Sequence, residues 1–253
     1  MNKLLGITWL EYTSNEAIEI AISNSILFVG GLYILFAIAS LIISNKATLV
    51  NKIAKVFVAA GAINLVFLAF LFSKEIFMDF AQFFEYAIQV AAPALLLFSC
   101  SKFSRQKMKL YLKIAISLTF ISHGLYAIGY YPTPGNWVDM VIYTISVSDE
   151  QALGILKVAG YLDIFLGILI FVPKLLKPTM VYLFLWGLAT TSARIYTNLY
   201  IDSLWTILEI YVHEVLVRIP HFLLPLLMLH LVWKEKHWLL DIGKIKGSEP
   251  SIR

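Results

Sequence analysis

Seven stretches of this chain are each apolar for about the length of a bilayer's hydrocarbon core, and nothing else in the sequence constrains its fold as much. They run at roughly 24–44, 52–73, 77–99, 108–130, 152–172, 178–200 and 203–232. A helix rises 1.5 Å per residue, so about 20 apolar residues cross that core. No water is present there to satisfy backbone polar groups, so a spanning segment must be a helix or part of a closed barrel. Apolar runs of this length predict helices. The expected fold is therefore all-α: a polytopic transmembrane bundle of seven spans. The last stretch is long for a simple span, and Pro220 and Pro225 predict a kink within it.

Composition agrees. Of 253 residues, 60% are hydrophobic and 14% charged, against roughly a quarter charged in a soluble domain. A charge at the bilayer centre costs at least about 2.5–3.5 kcal/mol, which explains the shortage. The formal net charge of +4 does not point to nucleic acid. The Lys and Arg residues sit in short loops between apolar runs, where they act as a topology signal. The expected partners are the lipid bilayer and, within it, other membrane proteins.

Those loops alternate. Lys46, Lys52 and Lys55 follow the first span. Lys102, Arg105, Lys107, Lys109 and Lys113 follow the third, and Lys174 and Lys177 the fifth. A basic tail from Lys234 to Arg253 follows the seventh. The intervening loops carry Glu11, Glu16 and Glu19 against Lys3, then Glu75 and Asp79 against Lys74. Asp139, Asp149 and Glu150 come next, then Asp202. The positive-inside rule places the N-terminus outside and the C-terminus in the cytoplasm, with the chain in the inner, or plasma, membrane. The segment MNKLLGITWLEYTSNEAIEI lacks the pattern of a cleaved signal, so the first span is expected to direct insertion itself.

A weak internal repeat is also readable. GGLYILFAIASLII from Gly30 parallels AGYLDIFLGILIFV from Ala159, and FFEYAIQVAAPALLL from Phe83 parallels YVHEVLVRIPHFLLPLL from Tyr211. Gly31 falls on Gly160 and Glu85 on Glu214 at one offset, and Trp9-Leu10-Glu11 falls near Trp137-Val138-Asp139. Spans one to three then reappear as five to seven, as a parallel duplication linked by the fourth. The implied division is a first repeat at 1–100, a linker with span four at 101–132, a second repeat at 133–232 and the basic tail at 233–253.

Polar residues inside the spans are the candidate functional positions, because placing them there is costly unless they face a protein interior or a wet cavity. The ligand-binding candidates are Glu85, Gln89, His123, Asp163, Arg194, His213, Glu214, Arg218 and His221. Under the topology above, Glu85, His123, Asp163, Arg194 and Glu214 fall at similar depth toward the outer leaflet. Glu214, Arg218 and His221 are four and three apart and share one helix face. The expected pairs are Asp163 with Arg194 and Glu214 with Arg218. That arrangement leaves Glu85 without a cation of its own. It also makes Glu214→Gln more damaging to the fold than Glu85→Gln. A purely structural role for these pairs, locking helices together, remains open.

No metal site is expected, since no HxxxH or ExxH pair lies on one helix. No cofactor is indicated, and the sequence leaves open whether the chain is an enzyme. The single cysteine, Cys100, rules out an internal disulfide and a CxxC pair. Gly30, Gly31, Gly61, Gly160, Gly167 and Gly187 are expected to let helices approach closely. The segment YYPTPGNWVDMVIYTISVSD from Tyr130 is expected to end the fourth span and to form either a short surface helix or a plain loop.

ISHGLYAIGYYP followed by ILKVAGYLDIFLGILIF, over roughly residues 118–172, resembles the DoxX-like family of small bacterial membrane proteins. The resemblance rests on His123-Gly124 near one helix end and on Gly160, Asp163 and Gly167 in the next span. It implies a redox-accessory role linked to quinones or thiols, with His123 and Asp163 as functional positions. Family members are usually four-helix proteins, and this chain is longer. Together these readings predict a membrane protein with a polar cavity near the outer leaflet that binds a small molecule or quinone-like lipid. Two alternatives stand beside it: a secondary transporter with proton-coupling Glu and His residues, and a structural subunit of a membrane complex.

Overall fold

Helices occupy most of the chain because its apolar runs carry few internal breakers. In the computed structural model, residues 6–199 and 203–246 are described, with side chains through residue 233. Lys3, Asp202 and the tail beyond residue 246 lie outside the described residues, so the charges read there are not placed. Eleven helices are described: α1 Trp9–Ser14, α2 Glu16–Ile42, α3 Leu49–Glu75, α4 Phe80–Glu85, α5 Ala87–Ser99, α6 Arg105–Ala127, α7 Gly135–Ile145, α8 Asp149–Leu169, α9 Leu176–Tyr196, α10 Leu204–Arg218 and α11 Pro220–Lys246. No strand occurs among the described residues.

Six segments are long and apolar enough to cross a membrane: Glu16–Ile42, Leu49–Glu75, Phe80–Ser99, Arg105–Ala127, Asp149–Leu169 and Leu204–Trp233. This is the makeup of a multi-pass membrane protein. The sixth expected span, at 178–200, is a helix of 21 residues, α9, but does not reach the same apolar standard. Thr190, Thr191, Ser192 and Arg194 fill its last turns and dilute it.

The chain divides into two compact units, Met1–Gly61 and Ala62–Arg253. In the first, Thr8 caps α1, and its backbone N–H and then its hydroxyl hold the Glu11 carboxyl below the usual range. Asn15 caps α2. Asn51 closes the turn between α2 and α3: its Nδ2 donates to Ser44 O at 2.6 Å, and its Oδ1 accepts from Ser44 N at 2.7 Å. Gly61 lies under the Phe36 ring, whereas Gly30 and Gly31 have open space where a side chain would stand. The expected close approach at Gly30 and Gly31 is therefore corrected.

The second unit holds the buried core. Ile88 and Leu95 of α5, Leu112, Ile116 and Phe120 of α6, Met180 and Leu183 of α9, and Leu224 and Met228 of α11 form it. Lipid tails are as apolar as these side chains, so close packing holds them together more than any escape from water. Small residues set the closest approaches. On α6 and α8, Gly124 and Gly160 face each other: a Cβ on Gly124 would stand 2.6 Å from Gly160 O, and one on Gly160 2.8 Å from Gly124 O. Farther along α8, a Cβ on Gly167 would meet Ile121 at 2.7 Å. Gly187 of α9 has His221 O at 2.7 Å from its would-be Cβ. Pro225, four residues on, has no N–H to give that carbonyl, so it is free for the approach.

Two helices break where charges sit. The helix at 80–99 is interrupted at Tyr86, directly after Glu85. The cause is a side chain from α6. The Thr119 hydroxyl accepts from Ile88 N at 3.0 Å and lies 3.4 Å from Phe84 O, so it stands between the two groups that would close that helical turn. The last expected span breaks at Ile219, directly after Arg218, and α11 restarts at Pro220. Proline suits a first helical position, where its missing N–H leaves nothing unpaired.

Candidate functional site

The breaks, together with α6, bring four helix ends to one place. Glu85, at the end of α4, is buried, and its Oε1 accepts from His123 Nε2 at 3.0 Å and from Arg218 Nη2 at 3.2 Å. Two donors on one oxygen make this carboxylate the hub of the cluster. A carboxylate only accepts, so His123 Nε2 carries the hydrogen. Arg194 of α9 donates from Nη1 to Glu214 Oε2 of α10 at 2.8 Å. Asp163 of α8 is buried as well, and its Oδ2 accepts from Trp186 Nε1 of α9 at 3.3 Å.

These contacts correct three expectations. Asp163 binds the Trp186 indole instead of Arg194. Glu214 reaches across to Arg194 instead of along its own helix to Arg218. Arg218 serves Glu85, which therefore has a cation after all. Helical spacing made the Glu214–Arg218 pair look natural. The break at Ile219 puts Arg218 in the last residue of α10, from which it reaches Glu85 in place of its helical neighbour.

His221 adds a second imidazole. Its ring stacks on His123 with centroids 5.2 Å apart, and its Nδ1 donates to Arg218 O at 3.2 Å. Trp137 of α7 meets the His123 ring edge-on at 5.6 Å. A cavity of about 300 Å³ opens against this group, with His123, Asp163, Arg194, Arg218 and His221 at its polar part. The rest of its wall is mainly apolar, with Phe120, Trp137, Met140, Ile155, Leu156 and Ala193 among its residues. Three of the lining residues hold a buried polar atom that has no partner among the described residues: Asp163 Oδ1, Arg194 Nε and His221 Nε2. Such atoms are costly to leave unpaired in a dry interior.

The other candidates stand apart from the cavity. Gln89 is buried one turn past Glu85. With its amide nitrogen turned inward it donates to Glu85 O at 3.3 Å and Tyr86 O at 3.2 Å. Glu214 is half-exposed and acts through Arg194. His213 is exposed and does not line the cavity. Among the described residues, no group of three His, Cys, Asp or Glu side chains is placed to hold a metal ion.

Two tryptophans at the cavity were not among the candidate positions. Trp137 of α7 lines the cavity, while Tyr143 on the same helix is exposed. Trp186 carried no signal beyond being an indole within an apolar run, whose N–H needs an acceptor when buried. Comparison of the chain with family models, curated proteins and solved structures finds no match.

Proposed function

We propose that this chain is an integral membrane protein whose cavity binds a small amphipathic molecule of quinone-like size. The apolar wall would take the molecule's body, and the histidine–arginine–aspartate end would take its polar head. The carrying observation is a cavity of about 300 Å³ whose mainly apolar lining includes His123, Asp163, Arg194, Arg218 and His221. Ligand pockets commonly begin near that volume, with a mainly apolar wall and a few convergent polar groups. The DoxX-like resemblance at His123 and Asp163 favours a redox-accessory role for the same site.

The test is binding to the purified protein in detergent. A short-chain quinone should raise its thermal midpoint, and Ala193→Phe, which fills the cavity from α9, should abolish that rise while the protein stays monodisperse. An undiminished rise in Ala193→Phe would place the ligand elsewhere.

The finer topology belongs to the same reading. We take α9 as a seventh span, its Arg194, Thr179 and Thr191 buried in the bundle. The N-terminus is then outside and the C-terminus cytoplasmic, as the alternating basic loops require. The element order supports the duplication: short helix, two long helices and a broken one occur before α6 and again after it. Reagents that cannot cross the membrane should label a cysteine placed near residue 8 from outside and one placed after Arg253 only in opened cells. Labelling of both from one side would refute seven spans.

One observation favours a transporter as the second reading. The ion pair Glu85–Arg218 sits at two helix breaks, and discontinuous helices line the sites of many secondary carriers. Uptake of a ligand into sealed vesicles, which binding alone does not produce, separates the two.

A further inference from the structure

The cavity has a neighbour. A second, more open hollow of about 530 Å³ lies along the seam between α8 and α9, and Ile155, Ala159 and Trp186 line both. Helical spacing accounts for the α8 side. Ile155, Ala159 and Asp163 are four apart and form the row that lines the cavity, while Gly154, Val158 and Leu162 form the next row, which lines only the second hollow. Ala159, common to both, contributes no more than a methyl group to what parts them. On the α9 side, Asp163 accepts from Trp186 Nε1 at 3.3 Å, and the indole stacks on Tyr182, one turn along, with centroids 6.4 Å apart. Tyr182 lines only the second hollow, so the two rings make one aromatic wall that starts in the cavity and ends outside it. The seam has room because α8 packs chiefly on α6, and α9 chiefly on α11.

This second hollow is a groove that faces lipid. Val158 and Leu162 are exposed on a helix long and apolar enough to cross the membrane, and a Cβ on Gly154 would have nothing within 4 Å. We infer, resting on the cavity reading above, that the ligand is an amphiphile with a hydrocarbon chain. Its head occupies the cavity, and its chain passes between Ala159 and Trp186 to lie in the groove, so that it enters from the bilayer and not from water. A chain in the groove exchanges lipid contacts for equally apolar protein contacts and gains little affinity by it. What the groove supplies is space: a head without a chain has no use for it, and a head with one cannot be seated when it is filled.

Tetramethyl-para-benzoquinone, and the same ring with one methyl replaced by a decyl chain, test the inference. Each is titrated in one detergent against the wild-type protein and against Val158→Trp, which fills the groove from a position that does not line the cavity. The decyl compound should bind Val158→Trp about tenfold or more weakly than wild type, because forcing a chain into filled space carries the penalty of overpacking. The compound without a chain should bind both proteins alike. Undiminished binding of the decyl compound to Val158→Trp overturns the groove and leaves the cavity reading standing, and an equal loss for both compounds overturns the groove as well. A decyl chain carrying a diazirine near its middle gives a second measurement on wild type alone. Its label should fall on groove residues such as Val158, Leu162 or Tyr182, and label confined to α6 or α7 overturns the inference. Binding of neither quinone overturns both readings together.

Discussion

Glu85→Gln is expected to destabilise the protein more than any other charge-neutralising change in the cluster, by about 3–5 kcal/mol, the usual cost of removing one partner from a buried ion pair. The carboxylate is buried and receives hydrogen bonds from both His123 and Arg218. Glutamine keeps the shape but leaves the Arg218 cation uncompensated in an apolar bundle. Glu214→Gln should cost less, about 1–3 kcal/mol: it leaves the buried Arg194 without its carboxylate, but the Glu214 side chain is 36% exposed, so the pair is partly screened and solvent or headgroups can reach the place it leaves. The pairing that sequence spacing favours predicts the reverse order. Thermal unfolding of both variants in one detergent checks the ranking: if Glu214→Gln melts lower, Glu85 is not the hub of the cluster's stability. A double variant that replaces Glu85 and Arg218 with uncharged residues should recover part of the loss, since it leaves no lone charge behind.

The second large effect is at the helix crossing. Gly160→Ala puts a methyl group 2.8 Å from the carbonyl oxygen of Gly124, and also against Ala127 and Ile128. Alanine gains about 1 kcal/mol over glycine in a helix interior. Overpacking against backbone costs typically 1–3 kcal/mol. Backbone cannot rotate away, so the penalty should win at Gly160, and Gly160→Val should be worse still. At Gly30 nothing lies within 4 Å, so the helical gain stands alone and Gly30→Ala should be neutral or slightly stabilising. Melting of both variants decides the matter: a stabilised Gly160→Ala would mean that α6 and α8 are not in contact there.

These two glycines show how far the sequence could be read. Gly30 and Gly160 sit in similar apolar text, and composition alone does not say which one has a neighbour. The positions of the apolar runs were legible because each must satisfy its own backbone in lipid, a local requirement. The residue types at the site were legible too, since a buried charge is conspicuous in such a chain. Their pairing was not. It depends on the break at Tyr86, where no proline or glycine marks the sequence and the hydroxyl of Thr119, from another helix, enters the turn. It depends equally on the break at Ile219, which frees Arg218 for a partner 133 residues away. Pro220 announced that second break, yet spacing along one continuous helix still assigned Arg218 to Glu214.

That long reach has a consequence for how the chain is made. Glu85 enters the membrane early, carrying a charge that costs a few kcal/mol when alone. Its first partner, His123, is synthesised 38 residues later, and Arg218 not until 133 residues later. At about 5–20 residues per second, the second interval is on the order of 10 s. Arg194 and Glu214 are separated by only 20 residues and meet almost as they emerge. During biosynthesis, then, α9 and α10 can neutralise each other as a hairpin, whereas Glu85 depends on His123 as an interim partner, and a nascent chain lacking that imidazole would have to hold the carboxyl unescorted until translation is nearly finished.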